Sequence, residues 1–386
     1  MIYLDAAATT AVRREVLEAA WPYLTSTYGN ASSHHTVGEV AARALTDARK
    51  TVAAWLGVRA NDVIFTSGGT EADNLAVKGI ALATPRGRHI VTTRIEHEAV
   101  LESIDYLRRF HGFDVSFAEV DRRGVVSLES FAAALRPDTT LATVMYANNE
   151  VGTVQPIAEL ATAAHAVGVP FHTDAVQSAG WLDCSVPALG VDALSIAGHK
   201  LGAPKGIGAL FVRGRIPLEP VVHGGGQERG KRSGTENIAG AVALARAVQL
   251  AEQERQRNVG QATDARDAFI AAVTTGVPSA ELTGHPHQRL PASASFVFPG
   301  TSGESVLLEL ERRGIVSSSG SACAAGSDDA SHVLVALGYP DDVAKSAVRF
   351  SWSADVDRAA LVAVADAVRT AVGQVIGIAE TRGMTI

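Results

Sequence analysis

The sequence predicts an α/β fold with a mostly parallel sheet in a large domain and a smaller α+β domain beside it. Three observations carry this expectation. From about residue 60 to residue 212, short apolar strand-like runs alternate with helical stretches, the pattern of a parallel sheet covered on both faces. An Ala-rich stretch with few breakers follows from about 238 to 275 and reads as one long helix. Beyond it, strands and helices recur in a different order, as in a second unit. At 386 residues the chain is long enough for both.

In order along the chain, residues 1–5 read as an immediate strand. Val37, Val40, Ala41, Ala44, Ala48, Val52 and Trp55 recur at three- and four-residue spacing, which predicts an amphipathic helix over 34–57 ending at Gly57. Strands are expected at 62–66, 89–93, 114–119, 141–147, 170–173, 193–196 and 207–212, with helices near 70–83, 98–111, 127–135 and 156–167. After the long helix come a strand at 293–298, a helix at 304–313, a small-residue loop, a strand-like run at 346–350 and a final helix from about 355. The expected division is a large domain over 14–254 and a small domain formed by 1–13 with 255–386.

Composition narrows the function classes. The apolar fraction of 47% and charged fraction of 19% fit a soluble globular protein. The net charge of −7 is spread along the chain without a basic block, which argues against nucleic-acid binding through a broad positive face. Two cysteines, Cys184 and Cys323, cannot build a disulfide framework and suit a reducing compartment. With no N-terminal signal and no run of about 18 uncharged apolar residues, the expectation is a cytoplasmic protein with no membrane span. No Cys-x-x-Cys or His-x-x-x-His pair points to a metal site.

The chemistry gathers at strand ends, where open α/β sheets bind their ligands. Lys200 closes the run Asp192-Ala-Leu-Ser-Ile-Ala-Gly-His-Lys200, and Asp174 closes Val169-Pro-Phe-His-Thr-Asp174. A lysine and a carboxylate delivered in this way suit pyridoxal phosphate: the lysine forms a Schiff base, and the carboxylate keeps the pyridine nitrogen protonated. Taken alone, Asp174 also reads as a helix N-cap. Ser67-Gly-Gly-Thr70-Glu71 is either a capped tight turn or a helix start that offers N–H groups to a phosphate; it lacks the Gly-x-Gly-x-x-Gly spacing of a dinucleotide site. His97 reads as structural or as a ring stacked on the pyridine. Asn149, in Asn148-Asn149-Glu150-Val-Gly152, reads as part of a turn or as a ligand to a carboxylate. The segment His223-Gly-Gly-Gly-Gln-Glu-Arg229, with Arg232-Ser-Gly-Thr-Glu236, reads as a surface loop or as phosphate-binding in this subunit or a neighbour. Arg349 ends a strand and is suited to hold a carboxylate bidentately. Cys323 lies in Val316-Ser-Ser-Ser-Gly-Ser-Ala-Cys323-Ala-Ala-Gly-Ser, too small and polar to be core, so it reads as a presented thiol, whereas Cys184 reads as structural.

On these residues the chain resembles the cysteine desulfurases of the NifS/IscS-like branch of the class V aminotransferase-fold enzymes. The resemblance runs from Tyr3-Leu-Asp-Ala-Ala-Ala-Thr-Thr10 to Val348-Arg349-Phe-Ser and rests on Thr66-Ser-Gly-Gly-Thr-Glu71, Glu96-His97, Asn148-Asn-Glu150, Asp174-x-x-Gln177, Gly198-His-Lys200, His223-Gly-Gly-Gly226, Arg232-Ser-Gly-Thr235 and Ser318-Ser-Gly-Ser-Ala-Cys323. It implies the aspartate aminotransferase-like fold type I, pyridoxal 5'-phosphate as cofactor and L-cysteine as substrate. It further implies Lys200 as the Schiff-base lysine, Asp174 on the pyridine nitrogen, His97 stacked on the ring and Gln177 on the ring hydroxyl. Asn149 and Arg349 are implied for the substrate carboxylate. Gly69, Thr70, Gly198 and His199 are implied around the phosphate, with Thr235 reaching in from the second subunit of a homodimer. Cys323 is implied as the nucleophile, whose persulfide passes to an acceptor such as an iron–sulfur scaffold protein or another thiolation partner. Two positions depart from many relatives: Ala197 stands where a phosphate-binding serine is common, and Ala324 stands where a threonine follows the cysteine. Another pyridoxal-phosphate activity on this fold, such as selenocysteine lyase or aminotransfer, is the nearest rival; a sulfur-transfer scaffold without catalysis is the rival from another class.

Overall fold

The computed structural model describes residues 1–84, 86–319, 329–354 and 356–381, with side chains described as far as 377. The chain opens with β1 (Ile2–Tyr3), α1 (Arg14–Thr25) and α2 (Thr36–Leu56). α2 stops where expected, because Gly57 takes the left-handed conformation (φ +69°) that closes a helix C-terminus and strains any residue with a Cβ. α1 was not expected from the sequence. Its Leu17, Trp21 and Leu24 point outward and Pro22 sits inside it, so it shows no clean apolar stripe.

A seven-stranded sheet follows, made of β2 (Val63–Thr66), β3 (His89–Thr93), β4 (Asp114–Ala118), β5 (Thr139–Thr143), β6 (Phe171–Asp174), β7 (Ala193–Ala197) and β8 (Gly208–Val212). Its spatial order is β2-β8-β7-β6-β5-β3-β4. The pairs β3–β4, β3–β5, β5–β6 and β6–β7 are parallel, while β8 runs antiparallel to both β7 and β2. β2, β3, β5, β6 and β7 therefore all end at one edge. Helices α3 (Gly69–Ala83), α4 (Glu98–His111), α5 (Leu128–Ala134), α6 (Ile157–Ala166) and α7 (Val186–Leu189) connect and cover them. β2, β3 and β5–β8 are buried along their whole length, which is why they read as continuous apolar runs rather than alternating ones. The strand expected over 141–147 leaves the ladder after Thr143. The cause is local: the Asn148 side chain accepts from the N–H groups of Glu150 and Val151, both at 2.9 Å, and folds the chain back so that Ala147 faces Val154.

α8 (Ile238–Gly276) belongs to two cores. Its first half buries Leu244, Val248 and Ala251 against the core of the large sheet, and its second half buries Ala265, Phe269 and Val273 against a separate cluster. That second cluster forms on β9 (Glu281–Leu282), β10 (Ser293–Val297), α9 (Gly303–Glu311), β11 (Ile315–Val316), β12 (Ala347–Ser351) and α12 (Arg358–Thr381), while the short helices α10 (His332–Ala336) and α11 (Asp341–Ala344) bury Val333, Leu334 and Ala344 in a smaller cluster with Ile95, Val151 and Val297. Phe269 packs edge-on against Phe296, Phe350 and Trp352 at ring-centroid distances of 6.0, 5.3 and 5.8 Å. Truncating Phe269 to alanine would cost about 3–5 kcal/mol. The N-terminus joins this part: β1 pairs with β11, and Leu4 is buried in the same cluster. Residues 358–377 of α12 are long and apolar enough to cross a membrane by length and composition. In this fold, however, Leu361, Val364, Val368 and Val372 are buried in the second cluster, while Asp366 and Arg369 face outward, as in a core-covering helix.

Candidate functional site

The shared strand edge collects nearly every residue singled out from the sequence. Asp174 is the last residue of β6, and Lys200 closes the short turn 198–200 that follows β7. Because β6 and β7 are parallel neighbours, both side chains arrive at the same edge, and Asp174 is register-paired with Ser195. Gly69 and Thr70 begin α3 just after β2. His97 caps the start of α4 just after β3, its Nδ1 accepting from the Ala99 N–H at 3.0 Å. Asn149 stands in the turn beyond β5.

Burial and charge then set the behaviour of the ionisable groups. Asp174 is buried, and burial pushes its carboxyl above the usual range, opposed by the charges of His97 and Lys200 and by the Val176 N–H, which donates to Oδ1 at 2.8 Å. The Lys200 amine donates to the backbone carbonyls of Ala7 and Ala8, the latter at 2.8 Å. Gln177 Nε2 also donates to the Ala7 carbonyl, at 3.0 Å. His199 shares a hydrogen bond with the Thr9 hydroxyl at 3.2 Å, and burial, with Lys200 and Lys205 nearby, lowers it to about 4. It is therefore a neutral imidazole at neutral pH.

The sequence reading missed the part played by residues 7–10. Two alanines and two threonines carry no chemical signal, yet their carbonyls and hydroxyls contact Gln177, His199 and Lys200. A cavity of about 530 Å³ opens beside them. Its wall includes Lys200, Gln177, Asn149 and Ala7, then Trp181 and Trp352; Asp174, His97 and Thr70 are not part of it.

At the start of α3, the first N–H groups have no partner within the helix. Gly69 is required there, because a Cβ would lie 2.8 Å from Val176 Cγ2 and 3.3 Å from the Ala197 side chain. Gly208 has a similar role, since a Cβ on it would lie 2.6 Å from the backbone of Gly68. Glu71 holds this corner. Burial acts to raise its carboxyl, but the hydrogen bonds from Arg232 and Ser67 outweigh that and keep it below its ordinary value. Arg232 Nε reaches Glu71 at 2.7 Å, so the loop that carries Thr235 is tied to the corner, with Thr235 itself exposed.

Arg349 is buried in β12 and donates to the Asn149 carbonyl at 2.9 Å and the Asp5 carboxylate at 2.8 Å. Asn148 and Glu150, which frame Asn149, are structural: Asn148 bonds the Ile95 carbonyl, and Glu150 accepts from Ser331. Cys323 and Ala324 lie outside the described residues. On one side of them Ser318 exchanges backbone hydrogen bonds with Arg349, and on the other the ring of His332 bonds the Glu96 carbonyl at 3.0 Å. Cys184 is buried, and its thiol is pushed up to about 12 by burial, which leaves it inert.

A buried carboxylate, an amine in the turn that follows the adjacent strand, and a helix start whose glycine leaves room for close approach form a donor set that fits pyridoxal phosphate. Comparisons with known proteins agree. The sequence pattern described as "Aminotransferase class-V" matches residues 2–362. A protein named "Cysteine desulfurase IscS" from Dictyoglomus turgidum is 44% identical over 351 residues, covering 91% of this chain and 89% of that one. Another of the same name from Methanosarcina thermophila is 44% identical over 363 residues, covering 92% and 89%. Among solved structures, a NifS-like protein superposes with a TM-score of 0.89 at 34% identity, covering 97% of this chain and 99% of that one. DndA from Streptomyces lividans superposes with a TM-score of 0.77 at 37% identity, covering 91% and 99%.

Proposed function

The chain belongs to the aminotransferase class-V family and is a pyridoxal-phosphate-dependent cysteine desulfurase, and from that premise we propose how its own residues divide the work. Lys200 anchors the cofactor and then moves the α-proton of L-cysteine at its Nζ. Asp174 pairs with the ring nitrogen. His97 stacks on the ring, and Gln177 bonds the ring hydroxyl. Gly69, Thr70, His199 and the backbone at Ala197 and Gly198 hold the phosphate; Asn149 and Arg349 hold the substrate carboxylate. Pyridoxal phosphate, when bound, supplies the electron sink that loosens first the α-proton and then the sulfur.

Cys323 Sγ attacks the substrate sulfur as a thiolate. An S–S bond forms, the carbon–sulfur bond breaks, and proton uptake by the carbon skeleton completes L-alanine. The persulfide left on Cys323 then passes to an acceptor thiol. This assignment draws support from the anchoring of both described flanks of the cysteine segment, through Ser318 and His332, at the site.

We propose a homodimer in which Thr235 reaches the partner's phosphate, in keeping with its exposed position. An iron–sulfur scaffold protein is the acceptor we favour, with other thiolation partners as alternatives. We also propose a division into a large unit over 14–254 and a small one over 1–13 and 255–386, a reading supported by α8, whose buried residues belong to the first core up to Ala251 and to the second from Ala265.

The observation that carries this reading is the delivery of Asp174 and Lys200 by adjacent parallel strands to the edge where α3 begins. Its test is L-cysteine turnover with alanine and persulfide measured together. Cys323→Ser should bind cofactor yet form no persulfide and release alanine at least about 100-fold more slowly. Lys200→Ala should leave no cofactor attached to the protein after borohydride reduction. A Cys323→Ser protein with normal turnover would refute the assigned nucleophile.

A further inference from the structure

Beneath Asp174 lies a second carboxyl that the mechanism leaves unused. Asp73, on the inner face of α3, is only 1% exposed, and its Oδ1 has no hydrogen-bond partner among the described residues. Its bond is to the Ser195 side chain, and Ser195 is the residue register-paired with Asp174. Ser195 Oγ lies 3.0 Å from His172 Nε2, and the other ring nitrogen of His172 meets the Thr143 hydroxyl at 2.8 Å. The row Asp73–Ser195–His172–Thr143 thus runs across the floor of the site, under the ends of β5, β6 and β7.

We propose that Asp73 is a positioning residue that stays protonated and so confines the negative charge under the cofactor to Asp174. Two carboxylates in one buried volume cannot both ionise without heavy cost, and the surroundings decide which one does. Asp174 is favoured in its charged form by His97 and Lys200. Asp73 has no such help. Burial opposes its ionisation, the charge of Asp174 opposes it further, and only the Ser195 bond favours it. Among the described residues the basic group within 4 Å of Oδ1 is His172, at 3.8 Å, and burial pushes it down to about 3, so it is no cation. The other elements against α3 bring no counter-charge: β2, β5, β7 and β8 carry no ionisable residue, and α4 turns Glu98, Glu102, Arg108 and Arg109 outward. As a neutral acid, Asp73 donates to Ser195 and leaves Asp174 as the single anion. An ionised Asp73 would instead drive the proton onto Asp174, where it would weaken the hold on a protonated ring nitrogen.

This inference rests on Asp174 being the ring-nitrogen partner, and the experiment separates the two. Infrared difference spectra of the apoprotein at neutral pH should show a protonated carboxylic-acid band that Asp73→Asn removes. Asp73→Leu, which cannot bond Ser195, should weaken cofactor binding about tenfold. Asp73→Asn, neutral and able to donate, should restore most of that affinity. A carboxylate signal from Asp73, or an Asp73→Asn protein as impaired as Asp73→Leu, overturns the proposal. Should Asp174→Asn bind cofactor and turn over L-cysteine normally, the reading of Asp174 fails, and with it the role given to Asp73, even where the infrared band proves its proton.

Discussion

Arg349 and Asp5 are joined at 2.8 Å, a contact that fixes the N-terminal segment to β12 beside the site. The guanidinium is buried, and its other arm holds the Asn149 carbonyl, so in the role proposed for it Arg349 would meet a substrate carboxylate while already paired. Asp5 would then compete with substrate for the same charge. Asp5→Asn should lower stability by about 2 kcal/mol through loss of a charged hydrogen bond. It should also lower KM for L-cysteine, because the guanidinium is then less neutralised. Urea denaturation and initial rates read the two effects separately; a raised KM would show that Asp5 orients Arg349 rather than competes for it.

Ala197 makes the departure from many relatives testable. It is buried at the end of β7, and its Cβ would lie 3.3 Å from a Cβ placed on Gly69, so a hydroxyl at 197 would stand next to the start of α3. Ala197→Ser should tighten cofactor binding several-fold, on the order of 1 kcal/mol for one added hydrogen bond. Spectroscopic titration of the apoprotein measures it; unchanged affinity would mean that the helix N–H groups and His199 already satisfy the phosphate.

Much of this site was legible because open α/β sheets place ligands at strand ends, and an ionisable residue that ends an apolar run is visible in one dimension. Lys200 and Asp174 carry that signal, and His97 and the polar Asn149 follow a few residues beyond the ends of β3 and β5. Ala7 and Ala8 do not, because they act through backbone carbonyls that every residue possesses. The partners of Arg349, Arg232 and Asp73 are separated from them by more than a hundred residues, and charge pairing at that range follows only from the fold. The direction of β8 was equally hidden: a buried antiparallel strand within a parallel sheet has the same apolar composition as its neighbours.

Glu96 gives the protein a pH-dependent stability. Burial lifts its carboxyl to about 8, only partly offset by the Thr93 hydroxyl, which donates at 2.6 Å, and the Met145 N–H at 2.9 Å. In the unfolded chain it titrates near its ordinary 4.5. Between these values the folded protein holds a proton that the unfolded chain has lost, so this group's contribution is fully present below 4.5 and declines as pH rises toward 8. Glu96→Gln keeps an acceptor for Met145 and a neutral group for Thr93, and it should remove that slope. The variant and the wild type should melt together at the acid end, with the variant more stable by up to several kcal/mol at the alkaline end. Melting temperatures across the window test this; parallel curves would show that Glu96 is ionised throughout.

Arg49 and Glu228 make the pair on which the glycine-rich loop depends. Arg49 Nη1 and Nη2 meet the two carboxylate oxygens at 2.5 and 2.7 Å, and the Phe65 N–H donates to the same carboxylate at 3.1 Å. Both side chains are buried. Glu228 and Arg229 adopt left-handed backbone angles (φ +47° and +60°), which non-glycine residues hold at a cost of about 1–3 kcal/mol each. The ion pair and the bond from Arg229 to the Val63 carbonyl, at 2.7 Å, keep them there. Glu228→Ala strands a buried guanidinium and should cost about 3–5 kcal/mol, whereas removing both partners in Arg49→Met with Glu228→Gln should recover part of that loss. In the proposed dimer Thr235, seven positions further along the same loop, serves the partner's phosphate, so the single variant should also weaken cofactor binding, while the double variant recovers only stability. Urea unfolding of Arg49→Met, Glu228→Gln and their double variant gives the coupling energy. A value near zero would place the loop's anchorage in Arg232 and Glu71 instead.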